Sequence, residues 1–142
     1  MTTSQTAAIS ITIAASPETV WRALTDPAII KQYAMGADMI TDWNEGSSIV
    51  FRGSWEGNVF ESHGTVDEVQ RNRLLRTSYV DGNADEKHRA ATRQEVYYIL
   101  DQAGKDTRLS VVQTRNGDDA GRKQAEQNWA YSLDILKKLA EA

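Results

Sequence analysis

The chain has 142 residues, enough for one ordinary domain with a core, and its 40% hydrophobic and 25% charged residues are those of a soluble globular protein, not of a disordered or fibrous one. Lysine plus arginine is 16 against 20 for aspartate plus glutamate, and neither sign forms a long block, so the net charge of −4 argues against a nucleic-acid partner. The absence of cysteine removes disulfides, thiolate zinc sites and cysteine nucleophiles together.

The N-terminal segment MTTSQTAAISITIAAS has no basic residue and no continuous apolar run, and does not read as a secretory signal. No stretch approaches the roughly 20 apolar residues of a membrane span, so a cytoplasmic protein without a membrane partner is expected. From Ala8 to Ala14, Ile9, Ile11 and Ile13 alternate with Ser10 and Thr12, the period-2 pattern of a half-buried strand that ends near Ala15. Ser16 can then cap a helix whose first position is Pro17, where the missing N–H costs nothing because that donor has no helical partner. The residue before Pro27 is driven out of helical geometry, and Asp26-Pro27 repeats the start signal for a second short helix carrying Ile29 and Ile30.

From Asp38 to Arg115 the pattern changes to strands. Ile49, Phe51 and Trp55 alternate with Val50, Arg52, Ser54 and Glu56; Leu75, Thr77 and Tyr79 alternate with Leu74, Arg76 and Ser78. Val96, Tyr98 and Leu100, then Leu109, Val111 and Gln113, repeat the design. Turn signals fall at Asn44 to Gly46, Gly57-Asn58, Asp81-Gly82-Asn83 and Ala103-Gly104-Lys105. A short piece at Met39 to Trp43 and a longer one from Val59 to Val69 bring this region to about six consecutive strands, an antiparallel meander. From Gly121 to Ala142, Ala125, Trp129, Leu133, Leu136 and Ala140 recur at spacings of three and four, which is a long amphipathic helix with one apolar face. Without a repeat, a low-complexity region or a linker, residues 1–142 read as one domain.

These residues resemble a known family, the START-related helix-grip (SRPBCC) superfamily, in the branch of homologues of the activator of heat-shock protein ATPase that matches that activator's C-terminal domain. The resemblance rests on I-x-I-x-A-S-P-E-T-V-W-R-A-L-T-D-P at 11 to 27, D-W-N-E-G at 42 to 46, H-G-T-V-D-E-V at 63 to 69, T-R-L-S-V at 107 to 111, and Asn128-Trp129. The first motif is the most specific; the others count through their order, which covers nearly the whole chain. Two places depart from the branch: Gln32-Tyr33-Ala34-Met35 stands where many members carry a tryptophan, and Glu45-Gly46 where a glycine pair is common. The resemblance implies an α+β helix-grip fold: a curved antiparallel sheet of about seven strands (strand, two short helices, six strands) around a long C-terminal helix. It also implies a cavity between sheet and helix, with the two short helices closing one end of it as a lid or wedge at its mouth. Members include lipid and hormone binders, polyketide cyclases and aromatases, and chaperone activators, so the fold implies a pocket and not a chemistry.

With these strand phases the inward set is Phe51, Trp55, Tyr79, Tyr98 and Gln113, faced by Trp129, with Tyr33, Met35, Met39 and Phe60 completing the wall. Aromatics with a few polar tips suit an apolar ligand, although the same side chains could simply fill a core. Trp21 and Trp43 read instead as covers of helix or sheet edges. His63 sits in a strand but opposite the face of Phe60, Ser62, Gly64 and Val66, which makes it a weak acid/base candidate; His88 lies in a polar run. The two histidines lack metal-ligand spacing, and Asp85-Glu86 and Asp118-Asp119 read as loop charges. No catalytic residue and no cofactor emerge.

Three functions remain: a binder of a hydrophobic, aromatic or lipid-like small molecule; a protein-interaction module resembling a chaperone ATPase activator; and a cyclase- or aromatase-like enzyme. The second needs an exposed apolar patch, for which Trp43 or the outward Val50, Tyr97, Ile99 and Val112 are candidates, whether for a protein partner or a homodimer.

Overall fold

The computed structural model describes residues 5–34, 36–55, 57–80 and 93–142, Trp55 by its backbone alone. The chain runs β1 (Ala7–Ile13), α1 (Pro17–Thr25), α2 (Pro27–Tyr33), β2 (Asp38–Ile40), β3 (Ser48–Trp55), β4 (Asn58–Gln70), β5 (Leu74–Val80), β6 (Gln94–Ala103), β7 (Asp106–Gln113) and α3 (Asp119–Glu141). All strands pair antiparallel in one curved sheet of order β1-β7-β6-β5-β4-β3-β2, so β2 to β7 form a meander and β1 closes beside β7. This is the helix-grip α+β fold.

Both proline-led helices form as their caps dictate. Ser16 Oγ accepts from Thr19 N at 3.3 Å, and Asp26 Oδ1 accepts from Ala28 N at 2.9 Å while the Asp26 N–H closes α1 on Arg22 O at 2.8 Å. Asp26 therefore ends one helix and starts the next, and the Tyr33 hydroxyl locks the pair by donating to Ala23 O at 2.8 Å. At the other end of the chain α3 begins two residues before Gly121. Asp118 Oδ1 accepts from Gly121 N at 2.9 Å, and Asp119 in the first turn holds Arg122 at 2.9 Å. The two acids expected in a loop are thus a helix cap and a first-turn anion, both favoured by the unpaired N–H groups there.

α3 lies along β1, the edge the meander leaves open. Glu126 Oε2 accepts from Ala8 N at 3.1 Å, Lys137 Nζ donates to Thr12 O at 3.1 Å, and Glu141 Oε2 accepts from Ala14 N at 2.7 Å. Residues 8 to 14 of a strand span about 20 Å and residues 126 to 141 of a helix about 22 Å, so the two run side by side in register. The helix thereby satisfies edge groups that would otherwise invite a foreign strand. The other edge, β2, has only three residues.

The core is a continuous set from every layer. Ile13, Val20, Ile30, Ile49, Leu109 and Leu136 are all essentially inaccessible. Trp21 is also buried and packed into this set, not laid over a helix edge as expected. No helix among the described residues is long and apolar enough to cross a membrane.

Candidate functional site

Between the concave face of the sheet and the N-terminal half of α3 lies a recess of about 890 Å³. Its walls come from both short helices (Leu24, Ile30, Tyr33), the inner faces of β3 to β7 (among them Phe51, Leu75, Thr77, Tyr79, Val96, Tyr98) and α3 (Asn128, Trp129, Ser132). The residues from α1 and α2 are buried, whereas Ser54, Phe60, Ser62, Arg115 and Asn128 are exposed. The recess therefore opens between the β3–β4 hairpin and the start of α3. The two short helices close one end of it, as expected, but that end is the buried one and not the mouth.

Glycines make room for two of the aromatic walls. A Cβ on Gly64 would stand 2.4 Å from Ser78 O and 2.6 Å from the Tyr79 ring, and one on Gly53 would stand 2.6 Å from the Phe60 ring. Phe60 leans on Phe51 with ring centroids 6.1 Å apart, and Trp129 meets Tyr98 edge-on at 5.7 Å. The indole N–H of Trp129 donates to Gln113 Oε1 at 2.8 Å, and Gln113 Nε2 in turn donates to Asn116 Oδ1 at 2.6 Å. Gln113 thus serves to hold the Trp129 ring in place.

The chemistry of the inner end is neutral. Burial pushes the Tyr98 phenol well above its ordinary range, with Tyr79 and Tyr33 adding to the shift, and burial raises Tyr33 and Tyr79 as well. The titratable groups among the described lining residues are these three phenols and Arg115 at the exposed end.

Eight of the ten residues picked out in the sequence border this space: Tyr33, Met39, Phe51, Phe60, Tyr79, Tyr98, Gln113 and Trp129. Met35 and the Trp55 side chain lie outside the described residues, as do Glu56, Asp85, Glu86 and His88. Trp43, expected at an edge, lines the recess instead. Its backbone takes φ 63°, rare for so bulky a residue, inside a loop pinned by Asp42 Oδ1, which accepts from Asn44 N at 3.1 Å and from the Ser47 hydroxyl. Gly46, with φ 88°, ties this loop to β4 through its N–H on Val66 O at 2.7 Å. The turn signal from Asn44 to Gly46 is in the sequence, but the direction of the indole depends on that docking.

His63 projects from the outer face, where Glu61 meets its Nε2 at 2.8 Å. It pairs with Val50 and Val80 and is not among the residues that border the recess. The outward Val50, Tyr97, Ile99 and Val112 are half-buried, and Tyr97 is covered by the Arg76 guanidinium at 6.0 Å and donates to Glu95 at 2.7 Å. The exposed large apolar side chains are instead Ile40, Val59, Phe60 and Tyr131 among the described residues.

Residues 14–141 match the family described as Activator of Hsp90 ATPase homolog 1-like protein. The chain belongs to that family. No curated protein matches it. Among solved structures, ChR145 from Cytophaga hutchinsonii is 32% identical, with a TM-score of 0.83 over 99% of this chain and 97% of that one. The Aha1 dimer from Colwellia psychrerythraea is 21% identical, with a TM-score of 0.76 over 96% of each chain. CalU16 from Micromonospora echinospora is 21% identical, with a TM-score of 0.72 over 96% of this chain and 76% of that one. The last two likenesses are of fold.

Proposed function

We propose that this member of the family is a cytoplasmic single-domain binder of a hydrophobic or aromatic small molecule, held between the sheet and α3. The observation that carries this reading is a recess of about 890 Å³ whose walls are mostly apolar and aromatic and which stays open at one end. Pockets for drug-sized ligands run from about 300 to 1,000 Å³ and have this composition. Burial of ring surface would supply the affinity, and the few polar tips the orientation.

The test is to extract protein purified under native conditions for mass spectrometry and, in parallel, to titrate it with an uncharged apolar fluorophore such as N-phenyl-1-naphthylamine. The expected result is a co-purifying apolar compound or saturable fluorophore binding, weakened at least tenfold in a folded Tyr79→Ala variant. A clean extract together with no saturable binding sinks the proposal.

A second reading is self-association, favoured by exposed Ile40 (52%) and Val59 (77%) on the β2–β4 end of the sheet and by the dimeric state of the Colwellia relative. Light scattering after size exclusion should then give twice the chain mass, falling to one in Ile40→Ser/Val59→Ser. A monomer at all concentrations removes this reading and leaves the first untouched.

A further inference from the structure

The two halves of α3 are attached to the rest of the fold by different means. Its buried residues, Leu133 and Leu136, both lie in the C-terminal half. Ahead of them the apolar side chains are Ala120, Ala125, Trp129 and Ala130, of which Ala125 and Trp129 are half-buried and the other two exposed. The N-terminal half therefore draws little adhesion from apolar area, and the recess lies beneath it. Polar bonds hold it instead, and they converge on Gln5, two residues ahead of β1. Gln5 N donates to Gly117 O and Gln5 O accepts from Asn116 N, both at 3.0 Å, while Gln5 Oε1 accepts from Arg122 Nε at 2.8 Å. Arg122 also gathers Asp119 and Glu126 of its own helix, and Glu126 in turn reaches Ala8 N. The Asn116 amide carries the connection inward: Nδ2 donates to Gln5 O at 3.0 Å and to Gln113 O at 2.7 Å, and Oδ1 accepts from Gln113 Nε2. Gln113 holds the Trp129 indole, so an unbroken chain of hydrogen bonds runs from Gln5 to the wall of the recess.

Near the surface, hydrogen bonds exchange for bonds to water at small net cost, whereas a leucine leaves a packed core only at a large one. The start of α3 is one lip of the mouth, and Gly117, with φ 76°, stands just before it, where a change of chain direction meets least restriction. We propose that Gln5, Asn116 and Arg122 form a latch that keeps this lip shut. Its release, with Leu133 and Leu136 as the fixed end of the helix, lifts Trp129 from Gln113 and lets a ligand in and out. None of the three latch residues borders the recess, so the latch sets the rates of passage without touching what is bound. This inference rests on the recess being a ligand site and adds how access to that site is controlled.

Hydrogen exchange followed by NMR reads the lip in the unliganded protein. The amides of residues 123–128 and the Trp129 indole N–H should open as one unit, with protection factors at least about tenfold lower than those of residues 132–139. Protection that climbs residue by residue from the helix start is ordinary fraying and overturns the latch, as does equal protection along the whole helix. Stopped-flow fluorescence of N-phenyl-1-naphthylamine reads the passage. Asn116→Ala and Arg122→Ala should each raise the association and the dissociation rate constants together, by about three- to tenfold, the worth of roughly one net hydrogen bond, with Kd unchanged within about threefold. A merely structural role would lower the Tm without moving the two rates in step. Arg122→Ala leaves the bonds among Gln113, Asn116 and the Gln5 backbone in place, and keeps the inference testable if Asn116→Ala does not fold. Unchanged rates with a bound probe overturn the latch and preserve the binding reading. A change confined to dissociation assigns these residues to the bound state and overturns their role in passage. A probe that fails to bind the wild-type protein overturns the binding reading and this inference with it.

Discussion

The C-terminal half of α3 buries Leu133 and Leu136 in the core, and the helix touches β1, α1 and α2. In its N-terminal half the same apolar stripe brings Trp129 over a recess, half-buried, against Tyr98 and tied to Gln113. One periodicity therefore serves two ends: a packed seam where the short helices fill the sheet's concavity, and a cavity wall where nothing fills it. The lesson is that an amphipathic stripe states which face turns inward and leaves open whether matter or space lies opposite.

The sharpest way to break this comparison is to truncate each half. Leu136→Ala should cost about 2–5 kcal/mol by chemical denaturation, the range for a fully buried leucine. Trp129→Ala, despite removing more atoms, should cost only about 1–2 kcal/mol, because the space beside it is already open and part of its contact area is missing. Equal or reversed costs would mean that the N-terminal half is packed core. Gly64→Ala tests the recess from the sheet side. Its Cβ would collide with Ser78 O and the Tyr79 ring, so a loss of about 1–3 kcal/mol is expected, with displaced Tyr79 ring signals in NMR. An unchanged ring position would show that the strand yields instead.

A smaller effect is carried by pH. Tyr33, Tyr79 and Tyr98 have phenols raised by burial, so above about pH 10 the unfolded chain ionises first and releases more protons than the native state. Their contribution to stability is fully present below that pH and falls as it rises further. Phenolate absorbance at 295 nm should accordingly lag behind that of model tyrosine until the chain unfolds; prompt titration of all five tyrosines would place these hydroxyls in contact with water.

The least effect concerns the packed half. Glu141 is held below its ordinary carboxylate range by Lys137 and by the Ala14 N–H, so its help to stability is present above the unfolded pKa and lost as pH falls through the folded one. Glu141→Gln should destabilise slightly at neutral pH and flatten the acid limb of the stability profile. A parallel shift at every pH would rule out the ion pair as the cause.

Local signals in the chain carried most of the architecture. Ser16-Pro17 and Asp26-Pro27 start helices within a few residues of themselves, and alternation along β3, β5, β6 and β7 names the inward face because side chains on a strand have no other choice. His63 was legible as outward by the same count. Asp118 and Asp119 follow a turn glycine, where acids suit a loop and a helix start equally, and only the fold of the next turn separates the two. The two short helices were legible as elements, but which end of the recess they close depends on long-range packing.

The amino-acid sequence by itself determined the order of elements, the inward faces of the strands, the family and eight of the residues that border the recess, because each depends on spacing along the chain. Only the tertiary structure decided that space remains under the N-terminal half of α3 and that Trp43 borders it. Those facts depend on how far apart two surfaces come to rest, a distance set jointly by sheet curvature, the docking of the 41–47 loop on β4 and the wedge of α1 and α2.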